Sequence, residues 1–206
     1  MNGTSFVSHL EGTMGLELAE QLGWTLPDVI MYPTGGGTGL IGMDKAFTEL
    51  ASLGWLADER RPRFFACQSS GCAPIVNAFD AGERFASRAV DPVTIASGLR
   101  VPGALGDFLI LDAVRRSGGR AIAAAESEIA PTMRMACAAE GVAVCPETAA
   151  CLIALRDAVA AGHIDPEERV VVFNTGAVQK YVEAMAVSLP RLSASDPIDW
   201  SELADG

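Results

Sequence analysis

The stretch "MYPTGGGTGLIGM", residues 31–43, places four glycines within the five positions Gly35 to Gly39, interrupted only by Thr38. The apolar run "DVIMY" comes before it, and the amphipathic run "LIGMDKAFTELASLGW" follows. Leu40, Met43, Phe47 and Leu50 recur at helical spacing in the second run. The stretch therefore predicts a buried strand, a glycine loop and a helix, in that order.

Composition limits the classes of partner. The 206 residues are 50% hydrophobic and 20% charged, which suits one well-buried domain or one large lobe. The net charge of −11 argues against a nucleic acid or an anionic membrane as partner. We expect no transmembrane helix, because no apolar run in the sequence is long enough. The N-terminal segment "MNGTSFVSHLEGTMG" does not have the pattern of a secretory signal, so cytoplasm is the expected location.

The cysteines and histidines do not form a metal-ligand pattern. The cysteines number five, no C-x-x-C spacing occurs, and the only histidines are His9 and His163. We therefore expect no metal site, and we expect the cysteines to be small buried core residues. They are Cys67, Cys72, Cys137, Cys145 and Cys151.

Apolar runs alternate with amphipathic runs along the chain. The strand candidates are "DVIMY", "RFFACQ", "RAIAAAES", the very short "VAVCP" and "RVVVFNTG", which is nearly all apolar and resembles a strand buried on both faces. Helical patterns lie before and between them, and in one of these Pro131 is expected in the first turn. The alternation predicts an α/β fold, a twisted parallel sheet with helices on both faces.

The carboxyl edge of such a sheet is where ligands bind. The segments "PTGGGTG", "CQSSG" and "NTG" all end strands at that edge, and we place the candidate site there. Successive backbone N–H groups at a helix N-terminus form a nest for an anion, of which phosphate is the obvious example.

Three kinds of phosphate ligand, and a glycine-rich turn with no ligand, compete for the loop. A nucleotide-triphosphate loop needs a lysine after its last glycine, and none follows here. Gly37, Gly39 and Gly42 satisfy G-x-G-x-x-G, but the next strand ends at Gln68 rather than at the acidic residue that holds a ribose. The third ligand is a single phosphate on a cofactor such as pyridoxal phosphate.

Several motifs in fixed order resemble the second half of threonine synthase and its relatives, the tryptophan-synthase-β-like group of fold type II pyridoxal-phosphate enzymes. The resemblance covers about residues 10–182. It is carried by "EGTMGLELAEQLGW", "LPDVIMYPTGGGTGLIGMDKAF", "QSSGCAPIVNAF", "TIASGLRVPGALGDFLILDAVRRSGG", "ESEI", "GVAVCPETAACLIAL" and "ERVVVFNTG".

The resemblance implies a cofactor, pyridoxal 5'-phosphate, and the residues that bind it. Its phosphate loop corresponds to Gly35, Gly36, Gly37, Thr38 and Gly39, and the hydroxyl that meets the pyridine nitrogen corresponds to Thr175. From the residues alone, Thr175 could instead be a helix N-cap after the last strand. The implied activity is that of a lyase of amino-acid biosynthesis, which converts O-phosphohomoserine to threonine and phosphate.

The chain departs from the family pattern in two places. The family's "NTGSGLKY" reads "NTGAVQKY" here, so the residues behind Thr175 differ. The family's Schiff-base lysine belongs to a Ser-x-Lys motif well before the glycine loop, and residues 1–34 do not contain it. The only lysines are Lys45 and Lys180, which we expect to be solvated. No catalytic residue is therefore assigned.

We expect residues 1–186 to be the C-terminal portion of this fold, residues 187–206 to be a polar tail, and the chain alone to be inactive. The expected partners are a small-molecule amino-acid substrate and either further copies of the chain or a complementing N-terminal chain. A threonine-dehydratase-like ammonia-lyase and a non-catalytic cofactor-binding subunit remain alternatives. Cysteate synthase and diaminopropionate lyase share the same loop and sheet by this resemblance.

Overall fold

The structure is a computed structural model that describes residues 3–185, with side chains described for residues 12–185. The predicted tail, 187–206, lies outside the described residues. No helix in the described part of the chain is both long and apolar enough to cross a membrane.

In the described part of the chain, four parallel strands form one sheet in the order β3-β2-β1-β4. The strands are β1 (Val29–Pro33), β2 (Arg63–Ser69), β3 (Arg120–Ala124) and β4 (Val170–Val172). Met31 of β1 lies opposite Phe65 of β2 on one side and opposite Val172 of β4 on the other. Because all the pairings are parallel, the carboxyl ends of the four strands meet at one edge.

Within residues 3–185, six α-helices connect and cover the strands, as the alternating pattern predicts. They are α1 (Gly3–Gln21), α2 (Thr38–Ser52), α3 (Pro74–Asp80), α4 (Asp107–Arg116), α5 (Glu126–Glu140) and α6 (Pro146–Ala160). A glycine in the left-handed conformation follows each of these six helices, which is the usual way to end a helix. These glycines are Gly23, Gly54, Gly82, Gly118, Gly141 and Gly162.

Helices α1–α4 form a layer on one face of the sheet, in which α1 packs on α2. Ile30 and Tyr32 of β1 point into this layer, where they meet the buried apolar residues of α2. The predicted helical stripe is correct, since Leu40, Met43, Phe47 and Leu50 are all buried. Helices α1 and α2 approach closely at Gly15, where an added Cβ would lie 2.9 Å from the Cβ of Ala46.

The opposite face packs against α6. Val29 and Met31 of β1, with Phe65 and Cys67 of β2, contact the small residues of this helix. Helix α5 packs mainly on α6. Both faces are thus covered, which confirms the predicted α/β architecture.

The very short strand predicted at "VAVCP" is wrong. Val144 makes only an isolated antiparallel bridge to Ala177. The chain cannot extend this pairing because Cys145 is already the N-cap of α6 and Pro146 is its first residue. Pro146 also has no N–H with which to continue a ladder.

The position predicted for Pro131 is also wrong, because this residue is the sixth of α5 rather than part of its first turn. Proline removes the hydrogen bond to the carbonyl oxygen four residues earlier, which belongs to Ser127. Both residues are exposed, so water can satisfy that carbonyl. The buried residues Ile129, Met133 and Ala136 on the other side hold the helix in place.

Strand β4 is shorter and less buried than predicted. Its three residues, Val170–Val172, are all half-buried, because β4 is at the edge of the sheet. The Phe173 N–H still donates to the Met31 oxygen at 3.2 Å. The side-chain oxygen of the next residue, Asn174, accepts the Cys145 N–H at 3.2 Å.

Candidate functional site

The glycine loop connects the carboxyl end of β1 to the first turn of α2. Thr34 fixes its start, because the Thr34 N–H donates to the Cys67 oxygen and the Thr34 hydroxyl donates to the Tyr32 oxygen, both at 2.8 Å. Gly37 is the N-cap of α2, with φ 72° in the left-handed region that favours glycine. The loop therefore turns sharply and directs the helix N-terminus toward the sheet edge.

The backbone amides of the loop carry no hydrogen bond within the described structure. None of the N–H groups of Gly35 to Gly39 donates to a residue of the described range, whereas the Ile41 N–H already bonds to the Gly37 oxygen. The 15-residue helix α2 adds its dipole at the same point. Free N–H groups at a helix N-terminus are the usual constituents of an anion site.

Close packing explains three of the four glycines in the loop. A Cβ on Gly35 would lie 2.1 Å from the carbonyl oxygen of Gly98, and one on Gly37 would lie 2.1 Å from Cδ1 of Ile110. A Cβ on Gly39 would lie 2.0 Å from the Tyr32 hydroxyl oxygen. Gly36 differs, since it is exposed and an added Cβ would meet nothing within 4 Å. The loop is therefore tightly packed at Gly35, Gly37 and Gly39 and open at Gly36.

Gln68 supports the loop from β2, a role that the sequence did not predict. Its fully buried side chain donates from Nε2 to the Thr34 oxygen at 2.9 Å. Its Oε1 accepts the N–H groups of Ile75 at 2.9 Å and Val76 at 3.2 Å, in the first turn of α3. The only sequence signal was a polar residue at the end of an apolar strand.

Thr175 lies three residues after the end of β4 and is exposed. Because β4 pairs with β1 in parallel, Thr175 and the glycine loop are at the same edge of the sheet. The N-cap alternative for Thr175 is wrong, since the next helical segment is a 3-10 turn, Val178–Lys180, whose N-cap is Ala177. The neighbouring Gly176 packs against Cys145, with 3.4 Å from an added Cβ to the Cys145 Cβ.

A buried carboxylate between these two parts of the site was also missed by sequence reasoning. Glu147, the second residue of α6, is 4% exposed. Its Oε1 accepts the Gly98 N–H at 2.8 Å and the Tyr181 hydroxyl at 2.6 Å, and the Ser97 hydroxyl donates to the Tyr181 oxygen at 3.3 Å. The sequence did contain a signal for it, the acidic residue in "PETAA" at the start of a predicted helix.

Burial and the Glu147 carboxylate change the acidity of two neighbours. Burial and, to a lesser extent, the hydrogen bond to Glu147 raise the pKa of Tyr181 to about 12. Burial also raises the pKa of the Cys145 thiol. Both groups are therefore neutral at physiological pH, and neither has the ionised form that a nucleophile requires.

A second carboxylate secures the edge at β2 and β3. Glu126, the first residue of α5, accepts the Ser69 hydroxyl and, at 2.8 Å, the N–H of Ile95. The Ser70 hydroxyl accepts the N–H of Glu126 at 3.0 Å. The "QSSG" segment is thus held by hydrogen bonds to the N-terminus of α5.

Comparison with known proteins identifies the fold family. The sequence model of the family described as "Pyridoxal-phosphate dependent enzyme" matches residues 2–176, most of the chain. The chain belongs to this family.

Similar proteins of this family include threonine synthases of two archaea. The chain is 33% identical to the threonine synthase of Methanosarcina acetivorans over 83% of the chain and 42% of that protein. It is 32% identical to the one of Methanocaldococcus jannaschii over 81% of the chain and 41% of that protein. The chain thus spans about two fifths of the length of these relatives.

A solved structure of the same fold is that of the L-serine ammonia-lyase of Rhizomucor miehei. It superposes with a TM-score of 0.64 at 21% identity, over 85% of this chain and 54% of the other. This similarity confirms the fold type II architecture that the sequence predicts.

The loop fits the phosphate of the family's cofactor. The amides of Gly35–Gly39 donate to no residue of the described range, and the space beside Gly36 is open, since an added Cβ there would meet nothing within 4 Å. The Thr175 hydroxyl is exposed at the same edge. Among residues 12–185 no three acidic, histidine or cysteine side chains are grouped as a metal site would need.

Neither lysine of the chain is part of this arrangement. Lys45 lies seven residues into α2, about 10 Å along the helix from Thr38, and pairs with Glu49 one turn further on. Lys180 is exposed in the 3-10 turn after Thr175. The described structure brings neither amine to the glycine loop.

Proposed function

We propose that the chain supplies the C-terminal, phosphate-binding part of a threonine-synthase-like enzyme, which converts O-phosphohomoserine to threonine and phosphate. The observation that carries the proposal is the row of amides from Gly35 to Gly39, at the N-terminus of α2, that donate to no residue of the described range. The similarity to threonine synthases along most of the chain supports the choice of reaction.

In this proposal the residues of the chain bind and orient. The amides of Gly35–Gly39 hold the cofactor phosphate, with the dipole of α2 favouring its negative charge. The Thr175 hydroxyl meets the pyridine nitrogen, and a neutral hydroxyl does not force a proton onto that nitrogen as a carboxylate would. When bound, pyridoxal phosphate supplies an electron sink for elimination and replacement chemistry on an amino acid.

A non-catalytic cofactor-binding subunit is the second candidate, and the positions of the lysines favour it for this chain on its own. Lys45 is engaged with Glu49, and Lys180 lies on the Thr175 side of the edge, so neither is next to the loop. Without an amine, binding would rest on the phosphate nest and one neutral hydrogen bond. We expect weak affinity and no turnover from the chain alone.

We also propose a protein partner for the chain, either a further copy or a complementing N-terminal chain. The half-buried edge strand β4 has no neighbour on its outer side within the described residues. Large apolar side chains are exposed between residues 85 and 105, which supports burial against a partner. They include Phe85, Val90, Val93 and Leu105.

Equilibrium dialysis of pyridoxal phosphate against the 206-residue chain tests the proposed function. We expect weak, saturable binding that inorganic phosphate displaces, that Gly36→Ala weakens and that Gly12→Ala leaves unchanged. A Cβ at Gly36 would occupy the open side of the loop, whereas one at Gly12, in α1, makes only ordinary contact at 3.8 Å. Equal binding by the wild type and Gly36→Ala would place the cofactor elsewhere.

Borohydride reduction of the same sample, followed by peptide mapping, tests whether the chain alone anchors the cofactor on a lysine. We expect no stoichiometric label on Lys45 or Lys180, and no phosphate release from O-phosphohomoserine by the chain alone. Specific labelling of either lysine together with phosphate release would contradict the view that the chain supplies only the binding part.

A further inference from the structure

Glu147 is a buried acidic side chain in the first turn of α6. It is 4% exposed, and although Oε1 accepts two hydrogen bonds, Oε2 has no partner among the described residues. Burying a carboxylate with an unsatisfied oxygen costs free energy. The N-terminus of α6 offsets part of that cost. The remainder points to a role other than stability.

Gly98 connects this carboxylate to the glycine loop. Its N–H donates to Glu147 Oε1 at 2.8 Å, and its carbonyl oxygen lies 2.1 Å from the position of a Cβ on Gly35. An added Cβ on Gly98 itself would lie 2.9 Å from Glu147 Oε1. The backbone at Gly98 is therefore fixed between Glu147 and Gly35, with no room for a side chain on either glycine.

Tyr181 fixes the carboxylate from the other side. Its hydroxyl donates to Glu147 Oε1 at 2.6 Å and accepts from Ser97 at 3.3 Å, next to Gly98 in the Ser97–Leu99 turn. Leu99 of the same turn is buried at 1% exposure. The turn is thus held at its backbone, at one hydroxyl and at one apolar side chain.

We propose that Glu147 is a positioning residue for the phosphate loop: through the Gly98 N–H it holds the Ser97–Leu99 turn against Gly35, and Tyr181 holds the carboxylate in place. The position of the Ser97–Leu99 turn limits how far Gly35 can move toward the protein interior. The position of Gly35 then determines the direction of the free loop amides. The inference rests on the proposed function in so far as the loop binds a phosphate.

Removal of the carboxylate leaves the Gly98 N–H without its acceptor, and the turn then moves away from Gly35. In Glu147→Ala we expect the amide resonances of Gly35–Gly39 to shift in the ligand-free protein. We expect the affinity for inorganic phosphate to fall about tenfold, as for loss of one hydrogen bond to a charged group. Glu147→Gln keeps a carbonyl-type acceptor for the Gly98 N–H. This variant should therefore retain most of the wild-type loop resonances and most of the phosphate affinity.

The test uses nuclear magnetic resonance of the full chain, labelled with nitrogen-15, without and with inorganic phosphate. Glu168→Ala is the matched control, because Glu168 also accepts one backbone N–H, from Asp165 at 2.8 Å, and one side-chain donor, from Arg63 at 2.6 Å. It lies at the opposite edge of the sheet, at the start of β4. The control should leave the loop resonances unchanged.

Loop resonances that coincide between folded Glu147→Ala and the wild type would overturn the proposal, and so would equal shifts in Glu168→Ala. If Glu147→Ala does not fold, Tyr181→Phe replaces it, since that variant loses only a hydroxyl and should move the Gly98 and Gly35 resonances. A wild type whose loop resonances ignore phosphate would contradict the proposed function. The ligand-free comparison would still decide the role of Glu147.

Discussion

The side-chain amide of Gln68 donates a hydrogen bond of 2.9 Å to the carbonyl oxygen of Thr34, directly before the glycine loop. The same side chain accepts two N–H groups from the first turn of α3, at Ile75 and Val76. One buried residue thus joins the carboxyl ends of β1 and β2 to the start of a helix. The position of the loop depends on this connection.

Replacement of Gln68 by leucine should lower the free energy of unfolding by about 2–4 kcal/mol, because three buried backbone groups lose their partner. Urea denaturation monitored by circular dichroism measures this. Gln21→Leu is the control, since among the described residues the Gln21 side chain bonds only to exposed Glu17, one helical turn away, and the substitution should change stability by less than about 0.5 kcal/mol. Equal effects of the two substitutions would contradict the role given to Gln68.

Alanine substitutions should distinguish the tightly packed positions of the loop from the open position. Gly35→Ala and Gly37→Ala should each destabilise the fold by about 1–3 kcal/mol, because the new Cβ meets the Gly98 oxygen or Ile110, and Gly37 also has φ 72°. Gly36→Ala should leave the melting temperature nearly unchanged. Thermal unfolding of the three variants measures this, and a large loss in Gly36→Ala would show that the loop is not open there.

Much of the fold follows from local pattern. The stripe Leu40, Met43, Phe47 and Leu50 predicts α2 because the helical period places all four on one face. The burial of β4 was not predictable, since an apolar strand has the same sequence whether or not a neighbour covers its edge. Pro131 shows a similar limit, because the helix tolerates it only through packing on the far side.

The supporting residues of the site could not be read from the sequence. Gln68 acts on Thr34 across 34 residues, and Tyr181 acts on Glu147 across 34 residues. Such pairs have no spacing rule, whereas the glycine loop has one because its residues are consecutive. The described structure brings the loop and Thr175 to one edge of the sheet, and their binding of a cofactor remains a prediction.

Tyr181 should make stability depend on pH in the alkaline range. The pKa of Tyr181 is raised in the folded protein to about 12 from the ordinary tyrosine value of 10.0, so the folded state retains the proton to higher pH than the unfolded state. The stability due to this group is present below pH 10 and is lost as the pH rises toward 12. Urea denaturation of the wild type and Tyr181→Phe against pH measures it, and parallel curves for the two proteins would contradict the assignment.

The cysteines should differ in their reactivity toward iodoacetamide under native conditions. Burial raises the pKa of Cys72, Cys145 and Cys151, and all three side chains are buried, whereas Cys137 is half-buried. We expect alkylation of Cys137 first, as mass spectrometry of a time course would show. In guanidinium chloride all the cysteines should react at similar rates, and fast native labelling of Cys145 would indicate an activated thiol.

A crystal structure of the 206-residue chain with pyridoxal phosphate tests the central claim most directly. The account predicts phosphate oxygens within about 3.2 Å of the amide nitrogens of Gly35–Gly39, with the ring nitrogen at hydrogen-bond distance from the Thr175 hydroxyl. It also predicts no covalent bond to Lys45 or Lys180. Cofactor density on another surface of the chain, with those amides bonded to protein or to water alone, would contradict it.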